Sequence, residues 1–188
     1  AASSGAGGDG AFAPRLMLQG PASGNYTSPS GANRFYAYAI GGGGGGGGGR
    51  TNNAEGGSGG AGAAGFYAGT LQGNTSYAYT IGAGGPGNVA SQNNRGDPGQ
   101  DGSDTNLGSL FTAPGGERGT GAGNVESPGP AGQDGDTSNA EFVLLDNYFG
   151  FPDPYPGSGG PGGVGGFTQQ PGTPGTAGFL MVYDNGET

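Results

Sequence analysis

Residues 41–49 are nine consecutive glycines, and the chain enters them directly from RFYAYAI at residues 34–40, a run that alternates bulky and small side chains. A tract of this kind buries no side chain and loses more backbone freedom on folding than any other sequence. It has two physical uses. It is a flexible tether, or it is a rod so crowded by neighbours that no side chain fits. The rest of the chain decides between them.

Glycine elsewhere is phased. Of the eight positions 157, 160, 163, 166, 169, 172, 175 and 178, all are glycine except Gln169. A second register runs through Gly41, Gly44, Gly47, Gly56, Gly59, Gly62 and Gly65, interrupted at Arg50 and Asn53. Shorter triplets occur in GDPGQDG at 96–102 and GPAGQDG at 129–135. Three residues per turn is the polyproline-II period, in which glycine at every third position leaves one edge bare for a neighbouring rod. The phasing predicts packed rods, with Gly41, Gly44, Gly47, Gly56, Gly59, Gly62, Gly157, Gly160, Gly163, Gly166, Gly172 and Gly175 as their structural glycines. Collagen fits poorly, because the triplet runs are short and interrupted.

With 52 glycines and 14 prolines among 188 residues, almost no helix-length window escapes a helix breaker, so essentially no α-helix is expected. The unpaired backbone groups then have to meet in strands or between rods. Strands are expected at RLML (15–18), RFYAYAI (34–40), GFYAGTL (65–71), SYAYTI (76–81), EFVLL (141–145) and GFLMVY (178–183). Tyr36, Tyr38 and Ile40 share one face, as do Tyr77, Tyr79 and Ile81, and both faces are expected to turn toward a core. QGNT at 72–75 reads as a hairpin turn between its flanking strands. The fold class expected is mainly β with polyproline/polyglycine-II segments: a small antiparallel sandwich or sheet joined to a glycine-rich rod bundle. Residues 1–15 read as an N-terminal extension available for inter-subunit contact, and residues 16–188 as one domain.

Five arginines face fourteen carboxylates, for a net charge of −9, which makes a polyanion a poor partner, and no nucleic-acid ligand is expected. Histidine and cysteine are absent, so thiolate metal sites, disulfides and imidazole acid–base chemistry are excluded. No apolar run approaches the roughly 20 residues of a membrane-spanning helix, and no membrane insertion is expected. Ala1 in place of an initiator methionine suits a removed signal peptide or a proteolytic product.

Asp97, Asp101 and Asp104 could converge on calcium, but their spacing does not fit an EF-hand, and solvated turn carboxylates are the favoured reading. Asp134 and Asp136 make a weaker pair. Acids in glycine-rich turns lack the rigid opposed elements that glycosidase chemistry needs. Poly-glycine without a following Gly-Lys-Ser/Thr and helix builds no phosphate site. No catalytic residue and no cofactor is expected. NYFGFPDPYP at 147–156 places Tyr148, Phe149, Phe151 and Tyr155 among prolines, either as a platform for a sugar or partner or as a lid over the domain's own core.

Five segments together resemble one family. YTSPSGANRFYAYAI (26–40) followed by poly-glycine, GGAGAAGFYAGTL (59–71), SYAYTIGAGG (76–85), NLGSLFTAPGG (106–116) and PGTAGFLMVY (174–183) are similar, in order and spacing, to the glycine-rich, polyglycine-II-containing domain of phage tail-fibre and tail-tip proteins. The chain departs from that pattern in the Asp-rich stretch 93–106, in 141–155 and in the first fifteen residues. The resemblance implies a non-enzymatic fibre domain on a virion surface or otherwise extracellular, presenting loops to a cell-surface glycan or outer-membrane protein. A self-assembling homopolymeric filament is the alternative. Ice binding by flat rod faces is a third possibility, against which the inserted loops count. The 30% apolar content predicts an oligomer that shares stability between copies.

Overall fold

The computed structural model describes residues 12–50, 54–88, 96–123, 128–136, 138, 140, 142–143, 155–164 and 170–186. It holds the strands β1 (Ala13–Gln19), β2 (Ala22–Thr27), β3 (Arg34–Ile40), β4 (Ala64–Thr70), β5 (Ser76–Ile81), β6 (Thr105–Leu107), β7 (Phe111–Ala113), β8 (Phe142–Val143) and β9 (Phe179–Asp184). Two antiparallel sheets form, ordered β1-β9-β3-β4-β8 and β2-β5-β6-β7. No helix occurs among the described residues. The first strand begins at Ala13, inside the expected N-terminal extension.

The two sheets face one another over Phe35, Ala37, Ala39, Tyr67, Leu180 and Val182 on one side and Tyr26, Ile81, Leu107, Phe111 and Ala113 on the other. On β5, Tyr77 and Tyr79 pack against this core and Ile81 is buried in it, as the alternation predicts. On β3 the expected face is reversed. Phe35, Ala37 and Ala39 point inward, and Tyr36 and Tyr38 lie half-buried on the outer face. The space above the two alanines is filled by bulk from other strands, where Tyr67 and Phe111 stack with ring centroids 4.5 Å apart. Tyrosines inward on β3 as well would overfill that gap.

QGNT at 72–75 is not a hairpin turn. It carries the chain from β4, which pairs with β3, to β5 in the other sheet, which pairs with β2. Asn74 adopts φ 54°, a conformation asparagine tolerates. The hairpin signal failed because both flanking strands had better partners upstream: all seven β4 residues align with β3.

Among the described residues, eight extended rods stand outside the strands: rod 1 (41–50), rod 2 (54–63), rod 3 (82–88), rod 4 (96–104), rod 5 (114–123), rod 6 (128–136), rod 7 (158–164) and rod 8 (170–178). Every amide from Gly41 to Arg50 donates a backbone hydrogen bond of 2.8–2.9 Å, and the recipient changes with a strict period of three. Gly41, Gly44, Gly47 and Arg50 donate to rod 2; Gly42, Gly45 and Gly48 to rod 4; Gly43, Gly46 and Gly49 to rod 8. The carbonyls of residues 42–48 accept, in the same rotation, from rods 5, 3 and 7 at 2.8–3.2 Å. Rod 1 is thus the axis of a hexagonal bundle in which each neighbour takes one of its faces. Successive outer rods are also bonded, as in Gly60 to Glu117, Gly99 to Gly119, Gln100 to Pro86, Gly175 to Gly85, Thr173 to Pro161 and Gly59 to Gly160, which closes the ring. Rod 6 lies outside it, in the groove between rods 2 and 5.

This geometry explains the run of nine. A Cβ on any of Gly41 to Gly47 would stand 2.0–2.1 Å from a carbonyl oxygen of rod 3, 5 or 7. Outer rods need glycine only where they meet another backbone. In rods 4 and 8 that is one position in three, such as Gly99 and Gly175, facing rod 1. Rod 2 has a second glycine per triplet, and Gly57 and Gly60 are where rod 6 passes, with Pro130 and Gln133 carbonyls at 1.9–2.0 Å from the added Cβ.

The register from Gly157 to Gly178 is two rods and not one. Rods 7 and 8 lie antiparallel, bonded by Thr173 to Pro161 and Thr176 to Ser158. Gly160, Gly163, Gly172 and Gly175 are rod glycines as expected. Gly157 is a turn residue at φ 76°, wedged against the Ile40 side chain. Gly166 lies outside the described residues.

Candidate functional site

Strands β3, β5 and β7 run straight into rods 1, 3 and 5, and rods 2, 4 and 8 run straight back into β4, β6 and β9. Consecutive rods are antiparallel, so Arg50, Asn88, Gly123 and Val164 end rods 1, 3, 5 and 7 at the end of the bundle away from the sandwich. Residues 51–53, 89–95, 124–127 and 165–169 lie outside the described residues. Arg50 closes rod 1 at the centre of that end, its amide bonded to the Ala54 carbonyl and its Nη1 to the Gly123 carbonyl at 3.0 Å. Among the described residues its Nε is buried without a hydrogen-bond partner.

The acidic candidates serve the backbone. Asp101 and Asp104 lie on rod 4, not in turns. Their Oδ1 atoms accept the amides of Arg118 and Gly115 on rod 5 at 2.9 Å each, satisfying by side chain what a main-chain carbonyl satisfies elsewhere in the bundle. Asp134 does the same from rod 6 for the Ala61 amide at 2.7 Å. Asp97 contributes its main-chain carbonyl, which accepts from Gly48. Asp136 caps Ser138, and the bonds from the Ser138 amide and hydroxyl hold its carboxyl below the usual range. Among the described residues, no three metal-capable side chains gather into a ligand set.

Of the aromatic platform, Tyr148, Phe149 and Phe151 lie outside the described residues. Tyr155 is half-buried at the foot of rod 7, where its carbonyl accepts from the Thr176 hydroxyl at 2.7 Å and the Ser158 amide at 3.1 Å. An aromatic surface that was expected to face inward lies instead on the outer side of the larger sheet. There Tyr36 contacts Phe12 and Phe66 at centroid distances of 4.2 and 5.4 Å, and Tyr38 contacts Phe66 at 5.1 Å. Met17 on β1 extends this face and is 69% exposed.

One buried polar cluster was not foreseen. Asp184 is fully buried and accepts from the Tyr26 hydroxyl, from Arg15 Nε at 3.0 Å and from the Gly186 amide at 2.8 Å. Arg15 Nη2 also reaches the Gly186 carbonyl at 2.6 Å. The cluster joins both sheets at the end of the sandwich remote from the rods. Burial, then the hydrogen bond and charge of Asp184, push the Tyr26 hydroxyl far above the ordinary tyrosine range. The signal was available in the period of two, which puts Asp184 on the same face as Leu180 and Val182.

A comparison with curated proteins finds no match to the chain. The family model for the glycine-rich domain matches residues 20–187, from the end of β1 to just short of the end of the chain. The order of strands, poly-glycine and triplets that suggested such a domain therefore has an independent counterpart, and the chain belongs to the glycine-rich domain family.

Proposed function

We propose that this chain is a non-enzymatic structural domain of a phage-type tail fibre or similar extracellular appendage. In this reading the rod bundle is a rigid post, and its end away from the sandwich is the attachment end for a cell-surface glycan or outer-membrane protein. The observation that carries the proposal is the axis rod, whose amides are all bonded and whose Gly41 to Gly47 admit no side chain. A backbone-bonded post holds its end fixed without a large apolar core, and loops on a rigid scaffold are where binding is placed. The test is binding of the labelled chain to a panel of bacterial cells, compared with a variant whose segments 51–53, 89–95, 124–127 and 165–169 are replaced by Gly-Ser. Binding lost in a variant of unchanged melting temperature supports the reading; equal binding by both removes it.

The second reading is a self-assembling filament subunit. It is favoured by β1, a strand at the sheet edge near the chain's N-terminal side. Electron microscopy separates the two, since homopolymers are expected only for the second.

A further inference from the structure

Strand β1 is set apart from the rest of the domain. The family match begins at residue 20, immediately after β1 ends, yet β1 pairs with β9 along its length, from Ala13 with Asp184 to Gln19 with Phe179. Only Gly20 and Pro21 connect it to β2, which belongs to the opposite sheet. Gly20 adopts φ 95°, and its amide bonds the Gly178 carbonyl at 3.2 Å. Rotation at those two residues lifts β1 as a unit and leaves the β2 pairing with β5 untouched.

The cleft that β1 fills is specific for it. Leu16 and Leu18 pack into the main core, and Arg15 supplies the guanidinium to the fully buried Asp184 carboxylate. With β1 lifted, the β9 edge is unpaired and Asp184 lacks its cation, so the cleft calls for an extended strand with apolar alternation and a correctly placed arginine. The outer edge of β1 is blunted by Pro14 and by an irregularity between Pro14 and Leu16. Those features oppose simple edge-to-edge addition of another sheet.

We propose that β1 is an exchangeable strand, and that copies of this chain associate when β1 of one copy occupies the β9 cleft of another. The contacts made in exchange equal those made within one chain, so a short hinge and mass action govern the balance. The proposal is independent of what the free ends of the rods bind.

The test exploits the absence of cysteine. Met17 and Met181 are register partners on the outer face. Met17→Cys and Met181→Cys are prepared as two separate chains, one isotopically labelled, then refolded together at high concentration and oxidised. Mass spectrometry is expected to find a disulfide between position 17 of one chain and position 181 of the other, at least several-fold above an out-of-register control pairing Met17→Cys with Tyr183→Cys. Sedimentation of the unsubstituted chain is expected to show dimers or longer species that grow with concentration. A monomer at every concentration overturns the proposal even if the variants fold poorly. Oligomers whose cross-links do not exceed the control overturn it too, because they place the contact elsewhere.

Discussion

The Thr105 hydroxyl donates to the Ile40 carbonyl at 2.7 Å and accepts the Gly82 amide at 2.9 Å, so one buried side chain binds the last residue of β3 to the first residue of rod 3. This is the seam where the sandwich becomes the bundle. Thr105→Val keeps the shape and strands both partners, which predicts a loss of about 1–3 kcal/mol in urea unfolding. Thr105→Ser should recover most of it.

Alanine substitutions within the glycine rods should separate by position. At Gly44 a Cβ would lie 2.0 Å from the Glu117 carbonyl oxygen, and backbone on every side leaves nothing to yield. Gly44→Ala is expected to cost about 3 kcal/mol or more, at or beyond the upper range for overpacking. Among the described residues no atom lies within 4 Å of where a Cβ on Gly123 would stand. Gly123→Ala should be neutral or stabilising by up to about 1 kcal/mol, through the unfolded chain. Thermal melts of the two variants provide the comparison.

Alkaline pH should weaken the fold through Tyr26. An unfolded tyrosine ionises near pH 10, whereas the buried Tyr26 holds its proton well above that. The stabilisation is therefore complete below about pH 10 and declines as the pH rises further, because the unfolded chain releases the proton first. Burial raises Tyr67 in the same direction. Tyr26→Phe should flatten the alkaline fall in melting temperature while lowering stability at neutral pH, where Asp184 loses a donor.

Arg15→Ala removes the cation from that same carboxylate. The side chain is 16% exposed, and the Tyr26 and Gly186 donors remain, so a loss of about 1.5–3 kcal/mol is expected in urea unfolding. Arg15→Lys should restore only part of it, since a single ammonium cannot reproduce the two directed contacts to Asp184 and Gly186.

Calcium and chelator should leave the melting temperature unchanged, because Asp101 and Asp104 are already engaged with amides of rod 5. Asp101→Ala is expected to cost about 0.5–1.5 kcal/mol, the worth of one ordinary exposed bond. A calcium-dependent rise of several degrees would contradict that assignment.

Much of the architecture was legible because the bundle writes itself in glycine. The run at 41–49 marked a rod with neighbours on every side, and the triplets at 96–102 and 129–135 marked rods with fewer. The period did not reveal where a rod ends: the glycines of rods 7 and 8 share one register although the two rods are antiparallel. Local alternation placed β3 and β5 correctly but could not tell which face of β3 turns inward. That choice depends on Tyr67 and Phe111, which arrive from distant parts of the chain. β2 escaped notice because Gly24 and Asn25 are poor strand formers; Gly24 stands there to admit the Tyr79 ring, whose hydroxyl would lie 2.6 Å from an added Cβ. The aspartates looked like turn residues because the amides that Asp101, Asp104 and Asp134 cap belong to other rods, 17, 11 and 73 residues away, and no local pattern marks them.

The central claim is that nine glycines form the rigid axis of the domain, and amide hydrogen exchange tests it most directly. Each amide from Gly41 to Gly49 is bonded within the bundle, so these amides should exchange only on global unfolding, as slowly as those of Ala37 and Val182 in the core strands. Exchange of residues 41–49 at the rate of a free glycine peptide, with β3 and β9 still protected, would show a tether in place of an axis and contradict the account.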